Sequence, residues 1–289
     1  VNTACRFLMR LLPSLRRSAA SIPSSSSPVS GGAPAEAQFI VDGTDNSKAQ
    51  AVLGYLPGIT AAALRKTGAP APDDPAPLVT RYMYNPELNS RWFVIPGLAV
   101  IIIGLLSILM TALTVAREWE NGSMELLLST PLRPAEIIAG KIAPYVALVL
   151  AGVFFVNMVA RFGFSVPFRG SHLLFLSGTL LFALACLSQG IVISVVTRQQ
   201  PLAMQLSMIS GLLPSLLLSG FIFPVESMPA FFRYFTMILS PRWFMEIARG
   251  VTIRGAGAAD LILPLLALGG LCSLLLAAAF KKFKTDLEP

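Results

Sequence analysis

Arg117-Glu118-Trp119-Glu120-Asn121-Gly122-Ser123-Met124-Glu125-Leu126-Leu127-Leu128-Ser129-Thr130-Pro131 stands between two apolar runs, each near the roughly 20 residues that cross a hydrocarbon core. The segment is charged, broken by glycine and then helix-forming. Ser123 is a favourable N-cap, Glu125 falls in the first turn, where a negative charge suits the helix dipole, and Pro131 stops the turn. Leu126 stands where a full capping box needs an acid or amide, so the cap is partial. Leu126, Leu127 and Leu128 supply an apolar face. Pro134 then suits a first helical position with Glu136 close behind, and the following helix enters the bilayer past Gly140-Lys141. The pattern predicts a helix-turn-helix lying along a membrane surface and able to receive another protein.

Working outward, the apolar runs recur. Spans are expected at about 93–116, 142–160, 172–197, 201–223 and 260–280. Hydrophobic residues make up 54% of the 289 and charged residues only 13%, about half the share of a soluble domain. The fold class expected is an all-α polytopic membrane protein of about five spans. A small α+β lobe over 37–91 precedes them, with strand-like runs at Gln38-Phe39-Ile40-Val41 and Val79-Thr80-Arg81-Tyr82-Met83-Tyr84. Residues 1–36 are Arg- and Ser-rich with no acid before Glu36, a composition of a disordered or aberrant extension. Residues 219–258 mix aromatics, prolines and polar groups. They are too polar to cross lipid and too apolar for an ordinary loop, which predicts interfacial or re-entrant helices.

Composition also excludes function classes. The net charge of +7 resides in loops and flanks, with no basic helix or aromatic-basic platform, so nucleic acid is not an expected partner. Cys5, Cys186 and Cys272 have no metal-ligand or disulfide spacing, and the last two fall inside spans as small apolar residues. His172, the sole histidine, sits at a span boundary and suits an interfacial or capping role. The spans carry essentially no Asp, Glu, Lys or Arg, against what ion-coupled transport requires. Asn157, Gln189 and Gln205 are read as interhelical hydrogen-bonding groups. No phosphate-binding Gly-rich loop with Lys-Ser/Thr exists, and no catalytic or metal cluster is placed for hydrolysis; Glu118, Glu120 and Glu125 read as a solvated face. The loops on the side of the opening segment, with the C-terminal tail, carry seven Lys/Arg against six opposite, and Lys281-Lys282-Phe283-Lys284 after a span leans towards a cytoplasmic C-terminus.

Three separated blocks then form a familiar pattern. Glu118, Glu120, Gly122, Ser123, Glu125, Leu127, Thr130 and Pro131, followed by Glu136, Gly140, Lys141 and Pro144, resemble the cytoplasmic coupling region of type-2 ABC exporter permeases. Ser219, Gly220, Phe223, Pro224, Met228, Pro229, Pro241, Arg249, Gly250 and Gly255 are similar to that family's extracytoplasmic re-entrant region. Asp42-Gly43-Thr44, Arg81, Tyr84-Asn85-Pro86, Ser90 and Pro96-Gly97 look like the bacterial drug-exporter branch. The resemblance runs from about Ala37 to the C-terminus. Trp243-Phe244 stands where the family commonly has an aromatic pair led by Tyr.

The resemblance implies a non-catalytic permease subunit of the bacterial inner membrane, with its lobe outside and its C-terminus in the cytoplasm. It implies an ATP-binding cassette subunit that carries the ATP and Mg, a second permease subunit in a homo- or heterodimer, a periplasmic adaptor as a further candidate, and contact with membrane lipid. The family has six spans, with the large outer loop between the first and second. The first has no counterpart in 1–35, which predicts a truncated or mis-started copy. The rival readings are an ATP-independent transporter or channel, or a non-transporting membrane scaffold if the truncation is native.

Overall fold

In the computed structural model, residues 39–42, 80–83, 90–124, 134–223, 225 and 228–285 are described, with isolated positions between 54 and 62. The expectations for 1–36, and those for Glu125, Leu127, Thr130, Pro131 and Pro224, lie outside the described residues. The chain divides into two units, the first comprising 1–43 and 47–83 and the second 44–46 and 84–289.

In the first unit, β1 (Phe39–Asp42) and β2 (Thr80–Met83) form a two-stranded parallel sheet, with Phe39 opposite Thr80 and Asp42 opposite Met83. β2 falls within its expected run, and β1 overlaps its own but continues one residue further, through Asp42.

The second unit is helical. It comprises α1 (Ser90–Glu120), α2 (Pro134–Phe164), α3 (His172–Thr197), α4 (Gln200–Leu217), α5 (Ala230–Phe235), α6 (Ser240–Arg249) and α7 (Ala258–Thr285). A 3-10 turn, Thr236–Ile238, leads into α6, and a π turn, Gly250–Arg254, follows it. Four helices, α1, α2, α3 and α7, are long and apolar enough to cross a membrane. The expected span at 201–223 is a helix of only 18 residues. The apolar sequence continues to Phe223, but Gly220 adopts a positive φ of 85°, a conformation no right-handed helix contains, and the helix has already ended at Leu217. Apolar length and helical length therefore part company here. Pro134 does open α2, with Glu136 in its first turn, as its missing N–H allows.

The core is α1 packed against α3 and α4, with α7 on the other side of α3. Close approach needs small side chains. A Cβ on Gly190 of α3 would lie 2.5 Å from the Ile108 carbonyl oxygen and 3.0 Å from the Thr111 Cβ, so the two backbones touch where only hydrogen fits. Two buried hydroxyls along this seam bond within their own helices: Thr111 Oγ1 donates to the Ser107 carbonyl at 3.0 Å and Ser188 Oγ to that of Leu184 at 2.6 Å. Cys186 and Cys272 are buried free thiols, Cys186 within the apolar core of α1, α3 and α6.

The intramembrane amides behave in three ways. Gln189 Nε2 donates to Ser210 Oγ at 3.4 Å, an α3–α4 bridge of the kind expected. Asn157 instead turns back on its own helix, Nδ2 donating to the Val153 carbonyl at 2.9 Å, and Gln205 is exposed. An amide in an apolar helix can find its nearest acceptor one turn back without a partner helix.

Candidate functional site: two ends of one bundle

At the end of α1 three consecutive side chains reach three neighbours. Successive helical residues are about 100° apart, so a terminal turn can fan its side chains around the axis. Glu118 forms an ion pair with Lys141 of α2. Trp119 lies under the Arg198 guanidinium, 4.7 Å from its ring centroid, at the α3–α4 corner. Glu120 accepts the backbone N–H of Gln200 at 2.7 Å and also the Gln200 side-chain amide. Gln200 is the first residue of α4, so this carboxylate supplies an acceptor and a negative charge at a helix N-terminus.

The chain then leaves α1 through a tight reversal. Asn121 N–H donates to the Arg117 carbonyl and Gly122 N–H to that of Trp119. Gly122 has φ 69°, a left-handed conformation natural to glycine at a helix exit. Ser123 and Met124 are helical again. The Ser123 hydroxyl donates to the Glu118 carbonyl at 3.2 Å and so satisfies one of the last acceptors of α1; its expected N-cap partners lie outside the described residues. Helix-exit carbonyls lack intrahelical partners, and this one is five residues back along the fold-over.

Met124 is anchored in the bundle directly after the reversal. Its side chain is fully buried among Val115, Ile138, Ile142, Val195 and Ala279, drawn from α1, α2, α3 and α7. Lys141 Nζ also lies 3.7 Å from the Met124 sulfur, so one lysine touches both sides of the reversal. Deeper in the bundle Thr114 Oγ1 and the Tyr145 hydroxyl are 2.7 Å apart, a second α1–α2 tie. Of the residues predicted from sequence, Glu118, Gly122, Ser123 and Lys141 converge here. Glu120 faces α4, while Glu136 and Gly140 are exposed along α2. Met124, Arg198 and Gln200 were missed. The signal for the last two was a short polar Arg198-Gln199-Gln200 interruption between apolar runs, and for Met124 an apolar residue next to the reversal.

The opposite end of the bundle is built differently. After α4, the segment from Ser219 to Gly255 contains no spanning helix among its described residues, as its mixed composition predicted. Pro229 precedes α5 and Pro241 occupies its first turn of α6, both positions where a missing N–H is tolerated. Arg249, at the end of α6, donates through Nη1 to the Gly220 carbonyl at 3.0 Å and lies 3.8 Å above the Phe93 ring of α1. Gly97 makes room for it: a Cβ there would meet Phe221 at 2.5 Å and Arg249 Nη2 at 3.0 Å. Pro96-Gly97, Ser219-Gly220 and Arg249-Gly250, three motifs far apart in sequence, thus meet around one guanidinium.

Aromatic packing surrounds this arginine cluster. Phe244 of α6 stacks on Phe182 of α3 at 4.4 Å, and Trp243 Nε1 donates to the Met237 carbonyl at 2.9 Å. The loop before α3 is tied to the π turn through Gly170 N–H to Val251 at 2.9 Å and Arg169 N–H to Thr252 at 3.2 Å. His172 opens α3 and stacks on Phe168 at 4.3 Å, an end-of-helix position in keeping with its expected interfacial role. Beside it is a cavity of about 390 Å³ between α1, α2, α3 and α6, lined mostly by apolar side chains.

Comparison with known proteins places these two ends in context. The family described as ABC-2 family transporter protein matches residues 17–281. The chain is 38% identical to the "Probable multidrug ABC transporter permease YbhS" of Escherichia coli (strain K12), over 77% of this chain and 60% of that protein. It is 34% identical to the "Inner membrane transport permease YhhJ" of the same organism, over 85% and 67% respectively. It is 30% identical to "ABC transporter G family member 20" of Dictyostelium discoideum, over 64% and 25%. The chain spans about three fifths of the length of the first of these relatives.

Proposed function

The chain belongs to the ABC-2 family of transporter proteins, and on that premise we propose that it is the transmembrane permease subunit of an ATP-binding cassette exporter. In this reading it moves substrate out of the cytoplasm while a separate subunit binds and hydrolyses ATP with Mg. The observation that carries the proposal is the reversal at Gly122. Met124, directly after it, is buried in the bundle, and the preceding turn of α1 is tied to α2, the α3–α4 corner and α4. A push on the segment that follows Met124 would be delivered to several bundle elements at once.

The ATP-binding cassette subunit would dock on the segment from Glu118 to Lys141. Glu118, Glu120, Gly122, Ser123, Glu125, Leu127, Thr130, Pro131, Glu136, Gly140 and Lys141 would form the receiving surface and its supports. The remaining placements follow from the same reading. The protein is multi-pass in a bacterial inner membrane, with the Glu118 end and the C-terminus in the cytoplasm and the β1–β2 unit outside. The 201–223 run joins the transmembrane set despite its short helix. A second permease subunit, identical or related, completes the pathway, and a periplasmic adaptor is a further partner. The residues around Arg249 and Gly220 would close the outer side as the re-entrant motif. The multidrug transporter permease among the relatives suggests drug-like cargo.

Co-expression with an ATP-binding cassette subunit tests the reading. The expected result is co-purification of the two chains from membranes, with Glu125→Lys abolishing it while the permease still accumulates in the membrane. Retention of full complex and ATP-driven export by Glu125→Lys would sink the assignment of this surface.

A further inference from the structure

The cavity at the His172 end of the bundle carries an inference beyond the permease reading, because its chemistry is uneven. Its body is apolar, walled by residues such as Val100, Val153 and Phe244. Along α1 it runs from Ile95 to Ile103, about 12 Å at 1.5 Å per residue. The cationic group on its wall is Arg161, in the last turn of α2, and His172 stands beside the same space at the start of α3. Among the described residues, no acidic side chain lines it. Arg161 is exposed and has no ion-pair or hydrogen-bond partner among the described residues.

The cavity also communicates with the apolar exterior. Phe154 and Phe162 line it, yet they are 69% and 76% exposed on the outer face of α2, beside the similarly exposed Phe155. In a membrane-crossing helix such a face meets lipid rather than water. A molecule reaching this space from the bilayer would bring an apolar tail first and leave its head at the helix ends, where Arg161 and His172 stand.

We propose that this cavity binds one acyl chain of an anionic membrane phospholipid, with the Arg161 guanidinium and the His172 imidazole holding its phosphate. The volume, about 390 Å³, lies within the range of sites that accept a small apolar ligand or one chain of a larger one. Arginine suits phosphate because its planar fork donates two parallel hydrogen bonds. A zwitterionic headgroup would offer the same phosphate accompanied by a cation, which Arg161 repels. The site needs no ATP-binding partner, so its test is separate from that of the export reading.

The full chain, purified in detergent, is titrated with dioleoylphosphatidylglycerol, dioleoylphosphatidylcholine or oleate and followed by native mass spectrometry. One phosphatidylglycerol is expected to bind at least fivefold more tightly than phosphatidylcholine. Arg161→Gln should remove that preference, and Ala99→Leu, which fills the cavity, should remove the tight equivalent altogether. Val153→Phe serves as the second filling variant, and Leu148→Ala, on the exposed face of α2 away from the cavity, should leave binding unchanged. Equal affinity for the two phospholipids, or undiminished selectivity in Arg161→Gln, overturns the proposal. Tight binding of oleate without phosphatidylglycerol would make the occupant a soluble amphiphile and also overturn it.

Discussion

The two ends of the helical unit are held by different physics. At the Glu118 end the ties are polar and partly exposed: an ion pair, a carboxylate on a helix N-terminus and a guanidinium over a tryptophan. At the Arg249 end the ties are aromatic stacks and a cation among phenylalanine rings, next to glycines with no room for a Cβ. Partly exposed polar contacts are individually weak and can be exchanged for water at little cost. Close packing tolerates no such exchange, since each missing atom leaves a void. The first end can shift against its neighbours while remaining folded. The second is suited to stay fixed while it does so.

That contrast is most exposed at Phe244. Its ring is buried and stacked on Phe182 at 4.4 Å, so Phe244→Ala should cost about 3–5 kcal/mol and lower the thermal midpoint in detergent sharply. A small effect would mean that the packed end is not the rigid one. Arg249→Met should come next, at about 1.5–3 kcal/mol, through loss of the charged hydrogen bond to the Gly220 carbonyl and the contact with Phe93. Gly97→Leu should mimic it, because the new side chain displaces the guanidinium without deleting it. If Gly97→Leu is neutral while Arg249→Met is not, the arginine acts through something other than this nest.

At the Glu118 end the largest effect should appear in function rather than stability. Proline cannot take the φ of 69° found at Gly122, so Gly122→Pro must re-aim the chain that leaves α1. Under the proposed function, ATP-driven export should fall at least tenfold, about 1.4 kcal/mol in a rate ratio, with membrane accumulation near normal. Export assays beside quantitative membrane immunoblots separate the two. Normal export would show that the reversal does not transmit force.

The sequence made individual residues of both ends visible but not their partners. Long apolar runs announce helices because hydrocarbon demands them, and Pro134 and the break at Gly122 were readable from local chemistry alone. The meeting of Glu118 with Lys141, or of Gly97 with Gly220 and Arg249, depends on how antiparallel helices align in depth, which no local pattern encodes. The apolar run to Phe223 and the helix end at Leu217 differ because hydropathy reports partition, whereas Gly220 reports backbone conformation. Asn157 was misassigned for a related reason: composition shows that a polar group needs a partner in lipid, but not that the nearest carbonyl is in its own helix.

The smallest effect, and the one that defines the contrast most closely, concerns Glu118 and Lys141. The Lys141 side chain is 13% exposed and that of Glu118 34%, so solvent screens the pair from one side. A double-mutant cycle with Glu118→Gln and Lys141→Met should give a coupling of no more than about 1 kcal/mol. The single changes should be unequal. Glu118→Gln leaves the more buried ammonium without its counter-charge beside the Met124 sulfur, whereas Lys141→Met leaves a carboxylate that water can reach. Glu118→Gln is therefore expected to be the costlier single substitution, read as the shift in thermal midpoint. A coupling above about 3 kcal/mol would place this pair among tightly buried ones. The Glu118 end would then be as rigid as the Arg249 end, and motion would have to enter the bundle elsewhere, with the α3–α4 corner at Arg198 and Gln200 the next place to break.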